Sequence, residues 1–407
     1  MDANREGGAA HKPIGDPMGL VRECERAMPG RRTEGYMASE THGEVVIIGA
    51  GPAGLATAAC LRARAVPFDI IEKDSTVASS WRARYERLRL HTVKHSSGLP
   101  MMPFPREYPR YVPRDLMIRY LQDYAERFDL RPRFNETVRS VRRADDGWFV
   151  KTNDGLRCVR TVVVATGYSA VPYLPSIEGS ERFVGPMLHS SSYINARPFA
   201  GRSVLIVGLG NSGAEIALDL AENGAQTTLS VRAATYLALR DPFGVPIQQL
   251  SILSAFLPAT ARDKIFRLIL DLTIGNLRKY GIERPTTGVT AWAEAGKIPV
   301  LDVGTLARIR DQTIAVRGEV SRFSEKGAIF RDGRSLQFDA VIFATGFRSG
   351  LPQFIEESDI LTPRGLPIPN RRAPDLYFIG FVNPLTGLLR AISQEARAVA
   401  QRIASGG

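Results

Sequence analysis

The sequence is poor in cysteine. Its 407 residues include only three, Cys24, Cys60 and Cys158, and these form neither a C-x-x-C pair nor a zinc-ligand spacing. The pattern argues against dithiol redox chemistry, structural disulfides and a metal site. It favours a reducing compartment, in which thiols stay free.

Long apolar stretches are also missing. No uninterrupted apolar run reaches the ~18 residues that a membrane-spanning helix needs. The sequence does not open with a basic start followed by an apolar region, which is the pattern of a secretory signal. It therefore predicts a cytoplasmic protein without a transmembrane segment.

Lysine is scarce, and no block of like charge occurs. The 53 cationic residues exceed the 42 acidic ones and give a net charge of +11, yet only eight of the cations are lysines. Arginine suits bidentate recognition of phosphate, although an arginine-rich composition is equally typical of a GC-rich genome. Because the cations are scattered, the sequence predicts no nucleic-acid partner and leaves small anions as charge-matched ligands.

Length and composition indicate a globular chain with more than one domain. A chain of 407 residues with 44% hydrophobic and 23% charged residues is too long for one compact core and fits two domains. Residues 1–42 are polar and lack periodicity, so we expect a flexible N-terminal tail. Met37, within that tail, is an alternative start of the protein.

Two segments share one pattern of a β-branched run, a glycine-rich turn and an Ala/Leu-rich helix. They are residues 44–61 and 203–220, and each predicts a strand, a turn and a helix. Each half also ends alike, because the strands predicted at 161–168 and 339–347 both run into Thr-Gly. This repeat of whole units predicts an α/β fold with two Rossmann-like dinucleotide-binding domains.

The first turn has the spacing of a dinucleotide site. Gly49, Gly51 and Gly54 form G-x-G-x-x-G between a strand and a helix. The glycines permit a tight turn, close approach to pyrophosphate and close packing of the helix on the strand. A second strand ends about 20 residues later in Glu72, where a carboxylate binds ribose hydroxyls.

The second turn repeats this spacing but lacks the acid. Gly208, Gly210 and Gly213 form the motif, and the strand that follows ends in Arg232. A guanidinium pairs with a ribose 2′-phosphate, which a carboxylate would repel, so the sequence favours NADPH over NADH. A surface charge is the alternative role for Arg232. Two such turns in one chain are typical of a flavoprotein whose nicotinamide and flavin must meet.

Residues 250–277 are unusually apolar and are interrupted by Pro258. A buried helix pair is the first expectation. A wall of a substrate channel or a patch on a membrane surface are the alternatives.

A third motif lies between the two turns. Residues 183–193 match F-x-G-x-x-x-H-x-x-x-Y/F, the identifying pattern of the class B flavin-dependent monooxygenases. With three motifs in the order of that class, residues 43–403 resemble it. The Baeyer–Villiger branch has Trp followed by Pro or Asp where this chain has Tyr193-Ile194, so it fits less well.

Within the class, the sequence is most similar to the YUCCA-type indole-3-pyruvate monooxygenases. The segments that carry the similarity are residues 88–94, 99–105, 279–288 and 296–304. The ending at residues 380–390 differs from the plant type, which together with the abundance of arginine suggests a bacterial relative.

The resemblance implies a fold and its domains. The fold is the three-layer, glutathione-reductase-like FAD/NAD(P) fold, with the NADPH domain inserted into the FAD domain. Residues 43–175 and 349–407 would form the FAD-binding domain. Residues 176–348 would form the NADPH-binding domain, with a helical insertion at about 241–300.

The resemblance also implies an activity. NADPH would reduce FAD, O₂ would form a C4a-(hydro)peroxyflavin, and oxygen would be transferred to an aromatic 2-oxo acid such as indole-3-pyruvate, giving indole-3-acetate. N- or S-oxygenation of other small molecules is one alternative. A flavin- or nucleotide-binding sensor without oxygenase turnover is another. A homodimer is a possible assembly.

Motifs and resemblance together predict the site residues. The predicted catalytic residues are His91, Lys94 and His189. Many xenobiotic-type members have Asn at the position of His91, and for His189 a structural role or orientation of NADP are alternatives. The predicted cofactor-binding residues are Gly49, Gly51, Pro52, Ala53, Gly54, Glu72, Lys73, Trp81, Leu90, His91, Val138, Ala165, Thr166, Gly167, Gly208, Gly210, Asn211, Ser212, Gly213, Arg232, Ala344, Thr345, Gly346 and Phe347.

Overall fold

The computed structural model describes residues 44–369, 371 and 373–406. The expectations of a flexible tail at residues 1–42 and of a start at Met37 lie outside the described residues, as does Cys24.

The described chain contains both strands and helices, and the strands outnumber the helices. The strands are β1 Val45–Ile48, β2 Phe68–Ile71, β3 Val138–Ala144, β4 Gly147–Thr152, β5 Leu156–Val159, β6 Thr161–Val164, β7 Val171–Pro172, β8 Met187–His189, β9 Ser203–Val207, β10 Gln226–Ser230, β11 Leu237–Leu239, β12 Val300–Asp302, β13 Ile314–Arg317, β14 Val320–Ser324, β15 Gly327–Phe330, β16 Ser335–Gln337, β17 Ala340–Phe343, β18 Phe347–Arg348 and β19 Leu376–Phe378.

The helices range from one turn to almost five. They are α1 Pro52–Arg62, α2 Ser79–Arg82, α3 Arg114–Arg127, α4 Asn211–Glu222, α5 Ile247–Leu253, α6 Ala259–Thr273, α7 Val289–Glu294, α8 Thr305–Arg310 and α9 Leu388–Ala404. Short 3₁₀ turns lie at Lys94–Ser96, Ser180–Arg182, Arg197–Phe199, Pro242–Gly244, Arg278–Tyr280, Leu351–Gln353 and Ser358–Ile360.

The first half of the motif repeat builds a parallel sheet. Its strand order is β19-β6-β1-β2, and β1 pairs in register with both β2 and β6. Every side chain of β1 and β6 is buried, as expected for a parallel sheet that is covered on both faces. Helices α1 and α9 pack against each other beside this sheet.

The second half builds a parallel sheet of the same kind. Its strand order is β13-β10-β9-β17-β8, so the strand that precedes the second glycine turn, β9, lies between β10 and β17. In both sheets the strand before the glycine turn is central, flanked by the strand after the helix and by the strand that ends in Thr-Gly. These two sheets confirm the predicted fold class of α/β with two Rossmann-like units. The boundaries at 175 and 348 stay a prediction.

Antiparallel pieces complete each half. Strands β3-β4-β5 form one three-stranded sheet and β14-β15-β16 another. Apolar residues of the first half gather around α1, α3 and α9, and those of the second around β9, α4 and β10. Tyr85 packs in the second cluster, although in the chain it lies between β2 and β6 of the first sheet.

The expectation of a buried helix pair at residues 250–277 is wrong. Helix α6 buries only one face, through Phe266 and Leu270, while Leu268 and Leu272 on the other face are 60% and 66% exposed. Arg267 and Asp271 lie on the same exposed face, so these charges were the sequence signal that this face is not buried. Among the described residues, no helix is both long enough and apolar enough to cross a membrane.

One of the three cysteines lies in the apolar core of the first half. Cys60 is a free and buried thiol, and burial raises its pKa.

The two faces of α6 give a test of the packing. We expect Phe266→Ala to lower the free energy of unfolding by about 3–5 kcal/mol, because it leaves a cavity in the core. The control Leu268→Ala should change it by less than about 0.5 kcal/mol. Urea denaturation of both variants measures the difference. Equal losses would show that the outer face of α6 is buried in solution.

Candidate functional site

The first glycine turn joins β1 to α1 through two close backbone approaches. Gly49 has φ +107°, and a Cβ placed there would lie 2.8 Å from the carbonyl oxygen of Ala165. A Cβ at Gly54 would lie 1.8 Å from the carbonyl oxygen of Gly49. A Cβ at Gly51, by contrast, would meet nothing within 4 Å. The turn is therefore packed on its inner side and open at the helix N-terminus, where anions bind.

Pro52 and Ala53 open helix α1 and direct its N-terminus at that open space. Proline suits the first helical position because its fixed φ is already helical and it has no N–H to leave unpaired there. Residues 53–61 are all buried, so packing fixes the direction of the helix axis.

Glu72, directly after β2, closes the turn from the other side. One carboxylate oxygen accepts the N–H of Ala50 at 2.7 Å, and the other accepts the N–H of Asp74 at 3.0 Å. Burial raises the pKa of this carboxyl. Each oxygen keeps a second lone pair, so the carboxylate can brace the turn and accept a hydroxyl as well. Lys73, its neighbour, is exposed.

The carboxyl end of β6 lies against the same turn. Ala165 N–H donates to the carbonyl of Ile48 at 2.9 Å, and Gly167 has φ +72°. The hydroxyl of Thr166 is buried without a hydrogen-bond partner among the described residues. An unpaired buried hydroxyl costs about 1–3 kcal/mol, so this atom fits a site that is completed by a ligand.

The second turn repeats the first almost atom for atom. Gly208 has φ +111°, and a Cβ placed there would lie 2.7 Å from the carbonyl oxygen of Ala344. A Cβ placed at Gly213 would lie 2.1 Å from the carbonyl oxygen of Gly208. Gly210 again faces open space. Both turns therefore have the geometry of a dinucleotide cradle.

Asn211 and Ser212 begin helix α4, and their side chains contact protein atoms. The Asn211 amide accepts the N–H of Leu301 at 2.8 Å and donates to the carbonyl of Pro299 at 3.2 Å. It thereby fixes the start of β12 beside the turn. The side chain of Ser212 lies close to the phenol of Tyr85.

Arg232 lies two residues beyond β10 and is exposed. Its guanidinium forms no ion pair with any residue that the structure describes. A free cation at this strand end is compatible with binding of a 2′-phosphate, as the sequence predicts.

The side chain of Lys94 holds a loop. Its ammonium donates to the carbonyl oxygens of Arg106 at 2.6 Å, Pro105 at 3.4 Å and Tyr108. All three donor positions of the ammonium are used. These contacts stabilise the loop at 105–108, and a catalytic role for Lys94 stays a prediction.

His189 is held in the same way. Its Nε2 lies 3.0 Å from the carbonyl oxygen of Gly346, to which it donates, and its Nδ1 accepts the N–H of Ser191 at 3.1 Å. Burial lowers the pKa of the imidazole, which agrees with a neutral ring that donates through Nε2. Both ring nitrogens are occupied, so the contacts favour the structural alternative over a catalytic role.

His189 and its partners position the end of β17. Its ring meets that of Phe347 edge-on at 4.8 Å, and the guanidinium of Arg84 lies 4.5 Å above the Phe347 ring. The hydroxyl of Thr345 donates to the carbonyl of Tyr173, and Gly346 has φ +84°. Hydrogen bonds thus hold the Thr345-Gly346 segment in place at the end of β17.

Three other predicted residues belong to the first half. Trp81, in the short helix α2, and the buried Leu90 pack in the core around α1. Val138, the first residue of β3, packs instead in the cluster that contains Ile71 and Val164. All three are apolar contacts near the first sheet, and none offers a polar group except the indole N–H.

His91 differs from the other two predicted catalytic residues. Its Nε2 lies 2.6 Å from Oε1 of Glu215 in helix α4, and its Nδ1 is buried without a hydrogen-bond partner among the described residues. The contact connects the first half to the helix of the second cradle. Sequence analysis missed Glu215, although its place two residues after Gly213 on the buried face of a helix was a signal.

Gln248 is a second residue that the sequence did not reveal. Its amide accepts the N–H of Val93 at 2.8 Å and donates to the carbonyl of Thr386 at 2.8 Å. It is buried and joins the insertion to two loops of the first half. No motif marks such a glutamine.

Two cavities lie in the helical insertion, away from both cradles. One of about 540 Å³ is lined by residues of 235–237, 271–278 and 282–284, and one of about 300 Å³ by residues of 260–270 and 284–289. None of the predicted site residues lines either cavity. We therefore place the candidate site at the two cradles, where most of the predicted cofactor-binding residues lie.

The glycines allow a test that separates folding from binding. Gly54→Ala should prevent a stable fold, because its Cβ would collide with a backbone oxygen. Gly51→Ala should fold with an unchanged circular dichroism spectrum but bind FAD at least ~10-fold more weakly, because a methyl group would fill the space for phosphate. Titration of the refolded apoprotein with FAD measures this. Unchanged affinity in Gly51→Ala would contradict the assignment.

The cradle geometry agrees with a family match. The model of the flavin-binding monooxygenase-like family matches residues 42–406 of this chain. The chain is 41% identical over 346 residues to "Probable indole-3-pyruvate monooxygenase YUCCA4" of Arabidopsis thaliana, covering 83% of this chain and 84% of that protein. It is 40% identical over 370 residues to "Indole-3-pyruvate monooxygenase YUCCA1" of Oryza sativa subsp. japonica, covering 88% and 90%.

Solved structures share the fold. A flavin-containing monooxygenase from Stenotrophomonas maltophilia superposes with a TM-score of 0.68 at 24% identity, covering 90% of this chain and 99% of that one. An oxidized steroid monooxygenase bound to NADP superposes with a TM-score of 0.71 at 18% identity, covering 90% and 86%. The two cradles, the open space at each helix N-terminus and these matches agree: the chain belongs to the flavin-binding monooxygenase-like family, whose cofactors are FAD and NADPH.

Proposed function

We propose that this monooxygenase oxidatively decarboxylates an aromatic 2-oxo acid, with indole-3-pyruvate as substrate and indole-3-acetate as product. The observation that carries the proposal is the pair of equivalent cradles in one chain, each open at Gly51 or Gly210. The substrate class comes from the relatives, which are named as indole-3-pyruvate monooxygenases. Their alignments cover more than four fifths of this chain.

The residues present fit the two cofactors. In the first cradle the N–H groups at the start of α1 would bind the FAD pyrophosphate, and Glu72 would accept a ribose hydroxyl. In the second, the start of α4 would bind the NADPH pyrophosphate, with Arg232 beside the 2′-phosphate. Bound FAD would supply the oxygen chemistry, whereas the protein binds, orients and excludes water.

The buried polar atoms without partners support the same assignment. Thr166 Oγ1 and His91 Nδ1 have no hydrogen-bond partner among the described residues. Both belong to segments that the sequence assigned to the flavin. A ring system with donor and acceptor atoms at its edge would satisfy them, and a purely apolar ligand would not.

The direct experiment uses the FAD-loaded protein with NADPH, indole-3-pyruvate and ¹⁸O₂. We expect CO₂ release equal to the NADPH consumed, and one ¹⁸O atom in the carboxylate of indole-3-acetate. Thioether and amine substrates run in parallel. Oxidation of those substrates without decarboxylation would replace the substrate class with N- or S-oxygenation.

Two further outcomes would overturn the proposal. NADPH oxidation that yields only H₂O₂ with every acceptor would make the protein an oxidase. Tight FAD binding with no NADPH oxidation would make it a nucleotide-binding sensor.

Arg232 gives a separate test of the nicotinamide nucleotide. Arg232→Glu should weaken NADPH binding by about 2 kcal/mol or more, close to 30-fold, because a charged hydrogen-bonding group loses its partner. NADH binding should change far less. The control Arg334→Glu makes the same charge change at the exposed turn before β16 and should leave both affinities unchanged. An unaltered NADPH preference in Arg232→Glu would remove this role. A homodimer and a cytoplasmic location stay predictions.

A further inference from the structure

We propose that Glu215 is a positioning residue that sets the orientation of the His91 ring between the two nucleotide sites. The proposal rests on the proposed function and adds to it a residue from the second cradle that acts on the first. It assigns no contact between Glu215 and substrate or cofactor.

Glu215 is a carboxylate that the core would not tolerate alone. It lies on the buried face of α4, two residues beyond Gly213, and its side chain is only 5% exposed. A buried charge is costly unless an opposite charge or hydrogen bonds compensate it. The groups that meet it are His91 and Tyr85, which both come from the first half of the chain.

The contact with His91 is close and electrostatic. Nε2 of His91 lies 2.6 Å from Oε1 of Glu215. These two atoms nonetheless have no hydrogen bond of good alignment, so the oxygen lies off the direction of the N–H bond. The attraction therefore depends mainly on the charge of the carboxylate, and a neutral amide of the same shape would lose most of it.

Tyr85 faces the carboxylate from a second side. Its phenol lies close to the side chains of Glu215 and Ser212. Burial, and then the negative charge of Glu215, raise the pKa of this phenol well above its usual value, so the hydroxyl stays protonated and can donate. Ser212 is the residue directly before Gly213, which ties the carboxylate to the second cradle itself.

The backbone around His91 is held by other groups. Leu90 N–H donates to the carbonyl of Val112 at 2.8 Å, and Val93 N–H donates to Gln248 at 2.8 Å. The backbone of this loop is therefore held by contacts other than the one with Glu215. With Nε2 drawn to the carboxylate, Nδ1 is the ring nitrogen left without a protein partner and is free to contact a bound nucleotide.

The same helix face supplies a matched control. Asp219 and Glu222, one and two turns beyond Glu215, both pair with Arg87, Asp219 at 3.8 Å. Arg87 precedes His91 by four residues, so Glu222→Gln removes a contact between the same helix and the same segment. It does not touch the imidazole.

The first measurement needs no turnover. The chain has only five histidines, which makes the ring nitrogens of His91 resolvable by ¹⁵N NMR, with His91→Gln for assignment. In the FAD-loaded protein we expect the His91 nitrogen signals to shift in Glu215→Gln and to stay as in wild type in Glu222→Gln. Unchanged His91 signals in Glu215→Gln would overturn the proposal, whether or not the protein oxygenates indole-3-pyruvate.

The second measurement is a double-mutant cycle of Glu215→Gln and His91→Gln. We expect Glu215→Gln to keep FAD and NADPH affinities within about twofold. Each single variant should lose roughly 10- to 100-fold in coupled product formation, as small misplacements do. The double variant should resemble the His91→Gln single. Additive losses would mean that Glu215 acts by another route and would also overturn the proposal. Should Glu215→Gln not fold, Glu215→Asp replaces it, because it keeps the charge at shorter reach and should retain partial coupling.

Failure of the proposed function has a different signature. Wild-type protein that binds FAD but never decarboxylates a 2-oxo acid would reject the substrate, while the NMR comparison would still decide the role of Glu215.

Discussion

The structure depends on one steric constraint used twice, the contact of a helix backbone with the glycine that ends a strand. At Gly54 over Gly49 and at Gly213 over Gly208 there is no room for a single methyl group. The contact forces the helix to start directly at the carboxyl edge of the sheet. Its free N–H groups then face outward into space that Gly51 and Gly210 leave open. A phosphate site is thus a by-product of how helix and strand pack.

Two cradles become one site only if the halves are held in a defined orientation, and polar contacts of α4 do much of this. The helix that begins at the second cradle presents Glu215, Asp219 and Glu222 to residues 85–91 of the first half. Tyr85 from that segment packs in the apolar core of the second half, and Gln248 joins the insertion to the loops at 93 and 386. Such contacts are directional, so they specify orientation more sharply than apolar packing alone.

The parts that the sequence predicted correctly are those in which backbone geometry demands one residue type. The glycine spacing, the acid after β2 and the strands that end in Thr-Gly all appear where they were expected. The contacts of the Lys94 and His189 side chains were not predictable from residue type. Both are residue types that serve in catalysis, but they donate to backbone carbonyls whose positions depend on the tertiary fold. The exposed face of α6 was missed for a different reason, because its charged residues Arg267 and Asp271 alternate with leucines.

The distribution of unpaired polar atoms separates structural from functional residues. The polar side-chain atoms of Lys94 and His189 hydrogen-bond to protein atoms. These bonds stabilise the loop at 105–108 and the turn at Gly346. Among the predicted site residues that the structure describes, His91 and Thr166 alone retain buried polar side-chain atoms without a hydrogen-bond partner. A folded protein rarely leaves such groups unpaired, because each costs about 1–3 kcal/mol. The cost is recovered when a ligand supplies the partners, and the protein can then tolerate it without loss of overall stability. Among the predicted site residues, this criterion selects His91 and Thr166 as candidates for contact with a ligand. Unpaired buried atoms also occur in the helical insertion, at Thr290 and Trp292, so they point to a site only where a motif marks the same position.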